Sequence, residues 1–302
     1  MSVLRTRIEQ YLRLRRSFGF TLNKDEYLLA QFASNMEDNG TDTITVDAAL
    51  AWAVSAGGTL SWHADRLAVL RRFLLWAHAF DADLTVPPPG MLRQGSHRAT
   101  PYLYSSEQIR DLVRCAGQFQ PRLKSLTFAT LIGLLASTGM RVGEAINANI
   151  GDLDDAVLTI RDTKFGKTRM LPLHPTTREA VSAYRQELLR ELKVTGPSRT
   201  PALFVSHTGS RLRYQSVHAD FQRLTVHAGI PNRTGNRRPR IHDLRHTFAV
   251  NTMVDAYRDG RNPSEVLPVL STYLGHARPA STYWYLEASP ELLAAAAGRM
   301  ES

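Results

Sequence analysis

The sequence predicts a mainly α-helical protein of two domains, the second of which contains a small antiparallel β-sheet. Apolar residues recur at helical spacing through most of the 302 residues. Two short runs read as strands joined by the turn "KFG", namely "AVLTIRDT" and "TRMLPL". The stretch "VPPPGMLRQGSHRATP" interrupts the helical patterns, because consecutive prolines cannot continue a helix. We therefore expect domains over 1–86 and 102–302, joined by a proline-rich linker over 87–101.

The first domain reads as a small helical bundle. In its last helical pattern, apolar residues such as Leu67, Leu70 and Leu74 recur with spacings that give one apolar face. Short segments rich in glycine, threonine and asparagine separate the patterns. The four predicted helices cover roughly 3–18, 24–38, 46–56 and 61–79.

The second domain opens with a helix start signal. Ser105 is followed three residues later by Gln108, the pattern of a capping box. Asn262 and Pro263 form a similar signal, a cap followed by a proline at the first helical position. The helices predicted in this domain begin after Ser105 and cover about 123–137, 175–193, 213–228, 241–256 and 263–274.

Composition limits the possible classes of protein. The net charge of +9 is concentrated after residue 100, where 26 Lys and Arg face 18 Asp and Glu, against 11 and 10 before it. That excess suits a polyanionic partner. Cys115 is the only cysteine, which excludes an internal disulfide. We expect no signal peptide and no membrane span, because no apolar run is long enough, and hence a cytoplasmic protein.

The stretch "IHDLRHTFAV" places His242, Arg245 and His246 within one helical turn. Three interpretations compete: a metal site, a phosphate clamp and an ordinary polar helix face. The histidine spacing fits a zincin helix, but the general-base glutamate of that motif is absent and Arg245 would repel a cation. We therefore predict no metal here.

Three other fragments have similar chemistry: "TGMRVGEA", "TKFGKTR" and "LGHARPASTYWYL". Each alone has a structural explanation, such as a surface ion pair or a core aromatic. Together they supply arginines to bind phosphate oxygens, histidines to exchange protons, a lysine to protonate a leaving group and a tyrosine nucleophile. That is the set of groups that metal-free phosphodiester chemistry requires.

These motifs, in this order, resemble those of the tyrosine recombinases, the phage integrase family. The resemblance covers nearly the whole second half, and the first half resembles the family's helical, SAM-like core-binding domain, a DNA-binding module. It implies a catalytic domain over 102–302 that ends in a tail helix. The catalytic residues that it implies are Arg141, Lys164, His242, Arg245, His276 and the nucleophile Tyr285.

The resemblance also implies their roles. Tyr285 attacks a DNA phosphate to form a 3′-phosphotyrosyl link, with His242 as a candidate base. Arg141 and Arg245 stabilise the transition state, Lys164 protonates the 5′ oxygen, and His276 donates a hydrogen bond. No metal or nucleotide cofactor is implied.

Supporting roles are expected for other residues near the catalytic motifs. Glu144 is expected behind Arg141 as an orienting group. Tyr283 and Tyr285 lie two residues apart and would point to different faces of a helix, so only one of them can face the phosphate. The family's spacing favours Tyr285 and leaves Tyr283 as the alternative nucleophile. His246 has no catalytic position and is interpreted as structural. The candidates for contacts with the DNA backbone are Lys167, Arg169, Arg237, Arg238 and Arg240.

The implied partner is double-stranded DNA, bound by a homo-tetramer on paired sites, alone or beside sister recombinases. Three alternatives remain: an inactive DNA-binding relative, a type IB topoisomerase and a metalloenzyme. Integration, excision, dimer resolution and transposition all remain open as the biological event.

Overall fold

The computed structural model describes residues 2–41, 43–92, 101–154, 156–161, 168–195, 200–233 and 238–275. The chain divides into two compact units, Met1–Ala99 and Thr100–Ser302. Each unit has its own hydrophobic core, and the described residues are mainly helical with one small sheet. The predicted fold class is confirmed.

The described residues of the first unit form a bundle of four helices whose bounds lie within one residue of those predicted. Their starts are encoded locally, because the side chains of Ser2, Thr45 and Thr59 each accept a hydrogen bond from the first turn of the helix that follows. Aromatic side chains fill the centre, with Phe32 edge-on to Trp52 at 5.2 Å between ring centroids. The helices are α1 (Val3–Ser17), α2 (Asn23–Asp38), α3 (Val46–Ser55) and α4 (Leu60–His78).

The second unit contains the remaining helices. The predicted capping box is confirmed, since Ser105 Oγ accepts from the Gln108 amide and the Gln108 side chain accepts from the Ser105 amide. The cap by Asn262 with Pro263 at the first position is also confirmed. The helices are α5 (Ser106–Ala116), α6 (Arg122–Thr138), α7 (Val142–Asn147), α8 (Pro175–Thr195), α9 (Tyr214–His227), α10 (Asp243–Arg258) and α11 (Pro263–Leu274).

Where the structure describes the chain, the sheet has three antiparallel strands in the order β1 (Leu153–Asp154), β2 (Val157–Ile160) and β3 (Arg169–Pro172). The prediction gave only the last two, because β1 is too short to show alternation. The pairing of β2 with β3 ends at the pair Ile160–Arg169. The predicted turn "KFG" lies outside the described residues.

Packing in the second unit brings three helix ends together. Helix α10 packs against both α6 and α11. Its apolar face joins α11 in a small core that includes Met253 and Leu270. The C-terminal ends of α6 and α11 therefore meet the first turn of α10, and this is where the motif residues lie.

The predicted linker is described only up to residue 92 and from residue 101. Its first part packs on the first unit, where Arg71 Nε donates to the carbonyl of Pro87 at 2.8 Å and Leu92 contacts the core. The domain limits stay a prediction. Within the described residues, no helix has the length and apolar character needed to cross a membrane.

Candidate active site

A tight turn at Gly139 starts the site. Gly139 ends α6 with a φ of +61°, a conformation that favours glycine. A Cβ atom at this position would overlap the ring of Phe248 on α10. The turn leads the chain directly to Arg141, which caps the short helix α7.

Arg245 is buried at the centre of the site, with 1% of its surface exposed. Its Nη1 donates to the carbonyl of Gly139 at 2.8 Å, and its Nη2 donates to the carbonyl of Leu274 at 2.7 Å. The guanidinium therefore ties the end of α6 to the end of α11. The planar guanidinium presents its donors in a fixed arrangement, which suits a preorganised binding site.

Arg141 also bonds to the C-terminal end of α11. Its Nη1 donates to Glu144 Oε1 at 2.8 Å, and its Nη2 donates to the carbonyl of Gly275 at 3.2 Å. About a third of this side chain is exposed, so its guanidinium is accessible to a ligand. Arg141 and Arg245 thus hold consecutive carbonyls, those of Gly275 and Leu274, immediately before His276 in the chain.

Glu144 is almost completely buried and accepts four hydrogen bonds. Arg169 donates to both carboxylate oxygens at 2.9 and 2.8 Å, and Arg141 adds its Nη1 and its backbone amide at 2.8 Å each. Burial would raise the pKa of Glu144, but the hydrogen bonds from Arg169 and Arg141 outweigh it and lower the pKa to about 2. The carboxylate is therefore ionised at neutral pH.

The surroundings of His242 hold its imidazole in the neutral form. Burial lowers its pKa, and the charges of Arg245, Arg240 and Arg141 lower it further, against Asp243, to about 4. The His246 ring lies edge-on to it at 4.8 Å, and burial lowers the pKa of His246 to about 3. Both imidazoles are neutral at pH 7.

A second buried carboxylate supports the start of α10. Asp243 is fully buried and accepts hydrogen bonds from the amide and the Nη2 of Arg240, at 2.8 and 2.9 Å. Arg233 Nη1 lies 3.7 Å from its Oδ2. This cluster fixes the backbone from which His242 projects.

Comparisons with known proteins agree on one family. Residues 104–291 match the model described as the phage integrase family. The y4rB protein of Sinorhizobium fredii (strain NBRC 101917 / NGR234), named as an integrase/recombinase, is 40% identical over all of this chain and 98% of its own length.

The chain belongs to the phage integrase family. The tyrosine recombinase XerD of Bifidobacterium longum (strain NCC 2705) is 30% identical over 90% of this chain and 88% of its own. The fold is similar to that of a lambda integrase in a tetramer bound to a Holliday junction, with a TM-score of 0.61 and 17% identity over 92% of this chain and 79% of the integrase. The predicted resemblance is confirmed: the chain is a tyrosine recombinase, a member of a family of DNA strand transferases.

The structure brings together four of the predicted site residues of this tyrosine recombinase: Arg141, Glu144, His242 and Arg245. Arg238 is exposed, and Arg240 is about half exposed beside Asp243. The catalytic roles of all these residues stay predictions. The predicted residues Lys164, Lys167, Arg237, His276 and Tyr285, and the alternative Tyr283, lie outside the described residues.

Arg169 does not lie where a contact with the DNA backbone would place it. Its side chain is only 14% exposed, and both terminal nitrogens bond to Glu144. It was predicted to contact the DNA backbone, but its backbone pairs with Ile160 at the start of β3 and its side chain lies against Glu144.

Sequence reasoning missed the residues that shape the backbone of the site. Gly139 and Gly275 have φ values of +61° and +69°, and both of their carbonyls accept hydrogen bonds from site arginines. A glycine directly after an apolar helical run was the signal that could have identified them. Among the described residues, no group of three or more His, Cys, Asp and Glu side chains could hold a metal ion.

Proposed function

We propose that this chain is a site-specific recombinase that cuts and rejoins double-stranded DNA through a 3′-phosphotyrosyl intermediate on Tyr285. One observation carries the proposal. Arg245 and Arg141 come from motifs about one hundred residues apart, and they donate hydrogen bonds to the consecutive carbonyls of Leu274 and Gly275. His276 is the next residue in the chain. A phosphate beside them would meet two cations and a neutral imidazole.

The chemistry follows from these groups. Tyr285 Oη attacks the phosphorus, and His242 accepts the phenolic proton, since its lowered pKa keeps it neutral at pH 7. Arg141 and Arg245 stabilise the charge that grows on the nonbridging oxygens, as an oxyanion hole does. The bond from phosphorus to the 5′ oxygen breaks, Lys164 protonates that oxygen, and His276 donates to the phosphate. The 5′-hydroxyl of another strand then attacks the phosphotyrosine, which forms a new phosphodiester and releases Tyr285.

This sequence of steps needs no nucleotide or metal. The phosphotyrosyl bond conserves the energy of the phosphodiester, so that rejoining requires no external energy source. The two carboxylates described at the site, Glu144 and Asp243, are both bonded to arginines. Their oxygens are therefore already occupied by cationic partners.

We propose that the active form is a tetramer on paired DNA sites in the cytoplasm, alone or with sister recombinases. Support comes from the similarity in fold to the lambda integrase tetramer on a Holliday junction. The net charge of +9, most of it after residue 100, supports contact with phosphates. The similarity to y4rB, which is named as an integrase/recombinase, favours a recombinase over a topoisomerase.

Covalent trapping tests the proposal. The purified chain is incubated with nicked duplexes that carry sequences from the ends of its host element, and denaturing gels are used to detect a protein–DNA adduct. We expect an adduct that is absent in Tyr285→Phe and present in Tyr283→Phe. Loss in Tyr283→Phe alone would change the nucleophile. Tight binding without any adduct would favour the inactive DNA-binding relative.

A further inference from the structure

The structure contains a group of three charged side chains in which two arginines share one carboxylate. Glu144 Oε1 accepts from Arg141 and from Arg169, and Glu144 Oε2 accepts from the Arg141 amide and from Arg169. The three side chains come from α7, its cap and β3. Arg141 faces outward and is a third exposed, whereas Arg169 is 14% exposed and lies behind the carboxylate.

We propose that Arg169 is a positioning residue for strand cleavage: it offsets the charge of Glu144 and fixes its orientation, so that Arg141 remains a net cation towards the phosphate. The inference rests on the proposed function, because it assumes that Arg141 binds the scissile phosphate.

The charge balance supports this role. With Arg169 present, two guanidiniums and one carboxylate leave one net positive charge at this end of α7. Without Arg169, Arg141 and Glu144 would form a neutral pair, and the attraction that Arg141 exerts on a phosphate would be largely cancelled at close range. A buried carboxylate bonded to one arginine alone would also draw that arginine away from other partners.

The geometry supports a positioning role as well. A bidentate pair fixes the plane of the carboxylate, which in turn fixes both donors of Arg141. The Arg169 guanidinium also packs against Gly275, where a Cβ atom would lie 2.8 Å from its Nη1. Gly275 therefore leaves room for Arg169 while its carbonyl accepts from Arg141. A substitution at Arg169 should therefore affect both Glu144 and the backbone at Gly275.

Compensation between two substitutions tests this inference in the full chain. The single-turnover rate of adduct formation on a nicked duplex is measured for wild type, Arg169→Gln, Arg169→Lys, Glu144→Gln and the double variant Glu144→Gln/Arg169→Gln. We expect Arg169→Gln to lower the rate roughly 100-fold, because it would weaken Arg141 as a donor to the transition state. Arg169→Lys should recover part of this loss, because it restores the charge without the fork. The double variant should cleave about tenfold faster than Arg169→Gln, because removing both charges restores the balance.

Arg161 is the matched control. Its Nε donates to the buried Asp152 at 2.6 Å, so that Arg161→Gln also removes an arginine from a buried carboxylate near the end of a strand. Thermal melting of each variant identifies any loss of folding. We expect Arg161→Gln to cleave at the wild-type rate.

The outcomes separate the two proposals. If the wild-type protein forms no adduct, the proposed function fails and this inference fails with it. If the wild type cleaves and Arg169→Gln cleaves equally well, or the double variant is no faster than Arg169→Gln, only the positioning role is overturned. A double variant that is faster than Arg169→Gln, with similar melting temperatures, supports the offset of charge.

Discussion

At the scale of single residues, burial and neighbouring cations determine which groups of the site carry protons. His242 and His246 are neutral because burial penalises their charged forms and the surrounding arginines add to that penalty. Glu144 is ionised because hydrogen bonds from two arginines outweigh its burial. The same cations that would bind a phosphate therefore keep His242 in its neutral form.

This leads to a prediction about pH. Because the pKa of His242 is lowered to about 4, the cleavage rate should stay level as the pH falls from 7 to about 5, where an ordinary histidine with a pKa near 6.5 would already be protonated. Arg240→Gln removes one of the charges that lower this pKa, so that the acid limb of the pH–rate profile should move to higher pH.

Single-turnover cleavage measured between pH 4 and pH 8 tests this prediction on wild type and Arg240→Gln. Arg258→Gln serves as the control, since Arg258 lies at the opposite end of α10 from His242. A wild-type rate that is halved near pH 6.5 would contradict the lowered pKa. An acid limb that is the same in both proteins would contradict the role of Arg240.

At the scale of elements, the turn after α6 is the most constrained point of the site. Gly139 adopts a φ of +61°, has no space for a side chain beside Phe248, and offers its carbonyl to Arg245. Gly139→Ala should therefore lower the free energy of unfolding by about 3 kcal/mol through strain and overpacking. Chemical denaturation measures this change.

Gly133, within the same helix, is the control for that substitution. A Cβ atom there meets nothing within 4 Å and its φ is helical, so that Gly133→Ala should stabilise the protein by about 0.5–1 kcal/mol. If the two substitutions had equal effects on stability, the turn at Gly139 would not be the constraint described.

The elements that the sequence predicts are those whose signals are local. Ser105 and Gln108 predict the start of α5 because both partners of the capping box lie within one turn. Strand β1 and helix α7 were missed because two and six residues are too short to show a period. β1 depends on pairing with β2, and α7 follows the turn at Gly139. These contacts belong to the tertiary structure and are not visible in the local sequence.

At the scale of the whole molecule, the sequence predicts which residues form the site better than it predicts the hydrogen bonds and ion pairs between them. Arg141, His242 and Arg245 were identified because their side-chain types match one chemistry in one order. The pairing of Arg169 with Glu144 could not be predicted, since it joins β3 to α7 across the fold. Arg169 was predicted to contact DNA because of its charge. Its burial, which the sequence does not show, distinguishes it from the exposed Arg238.

The distribution of charge predicts where DNA contacts the catalytic unit. Arg238 is exposed a few residues before α10 begins, whereas Arg258 is 73% exposed at the last residue of α10, a helix of 16 residues and about 24 Å in length. If the DNA phosphates lie over the site, Arg238→Gln should reduce the slope of log affinity against log salt concentration by about 0.9. Arg258→Gln should leave it unchanged.

Fluorescence anisotropy with a labelled duplex, at salt concentrations from 50 to about 200 mM, measures both slopes. Each substitution removes one exposed positive charge, so that the net charge changes equally and a long-range effect would alter both slopes alike. A loss of slope at Arg238 alone would place a phosphate at the N-terminal end of α10, next to His242. An equal loss at both positions would mean that DNA is attracted by net charge, and a loss at Arg258 alone would place the DNA on the other end of this helix.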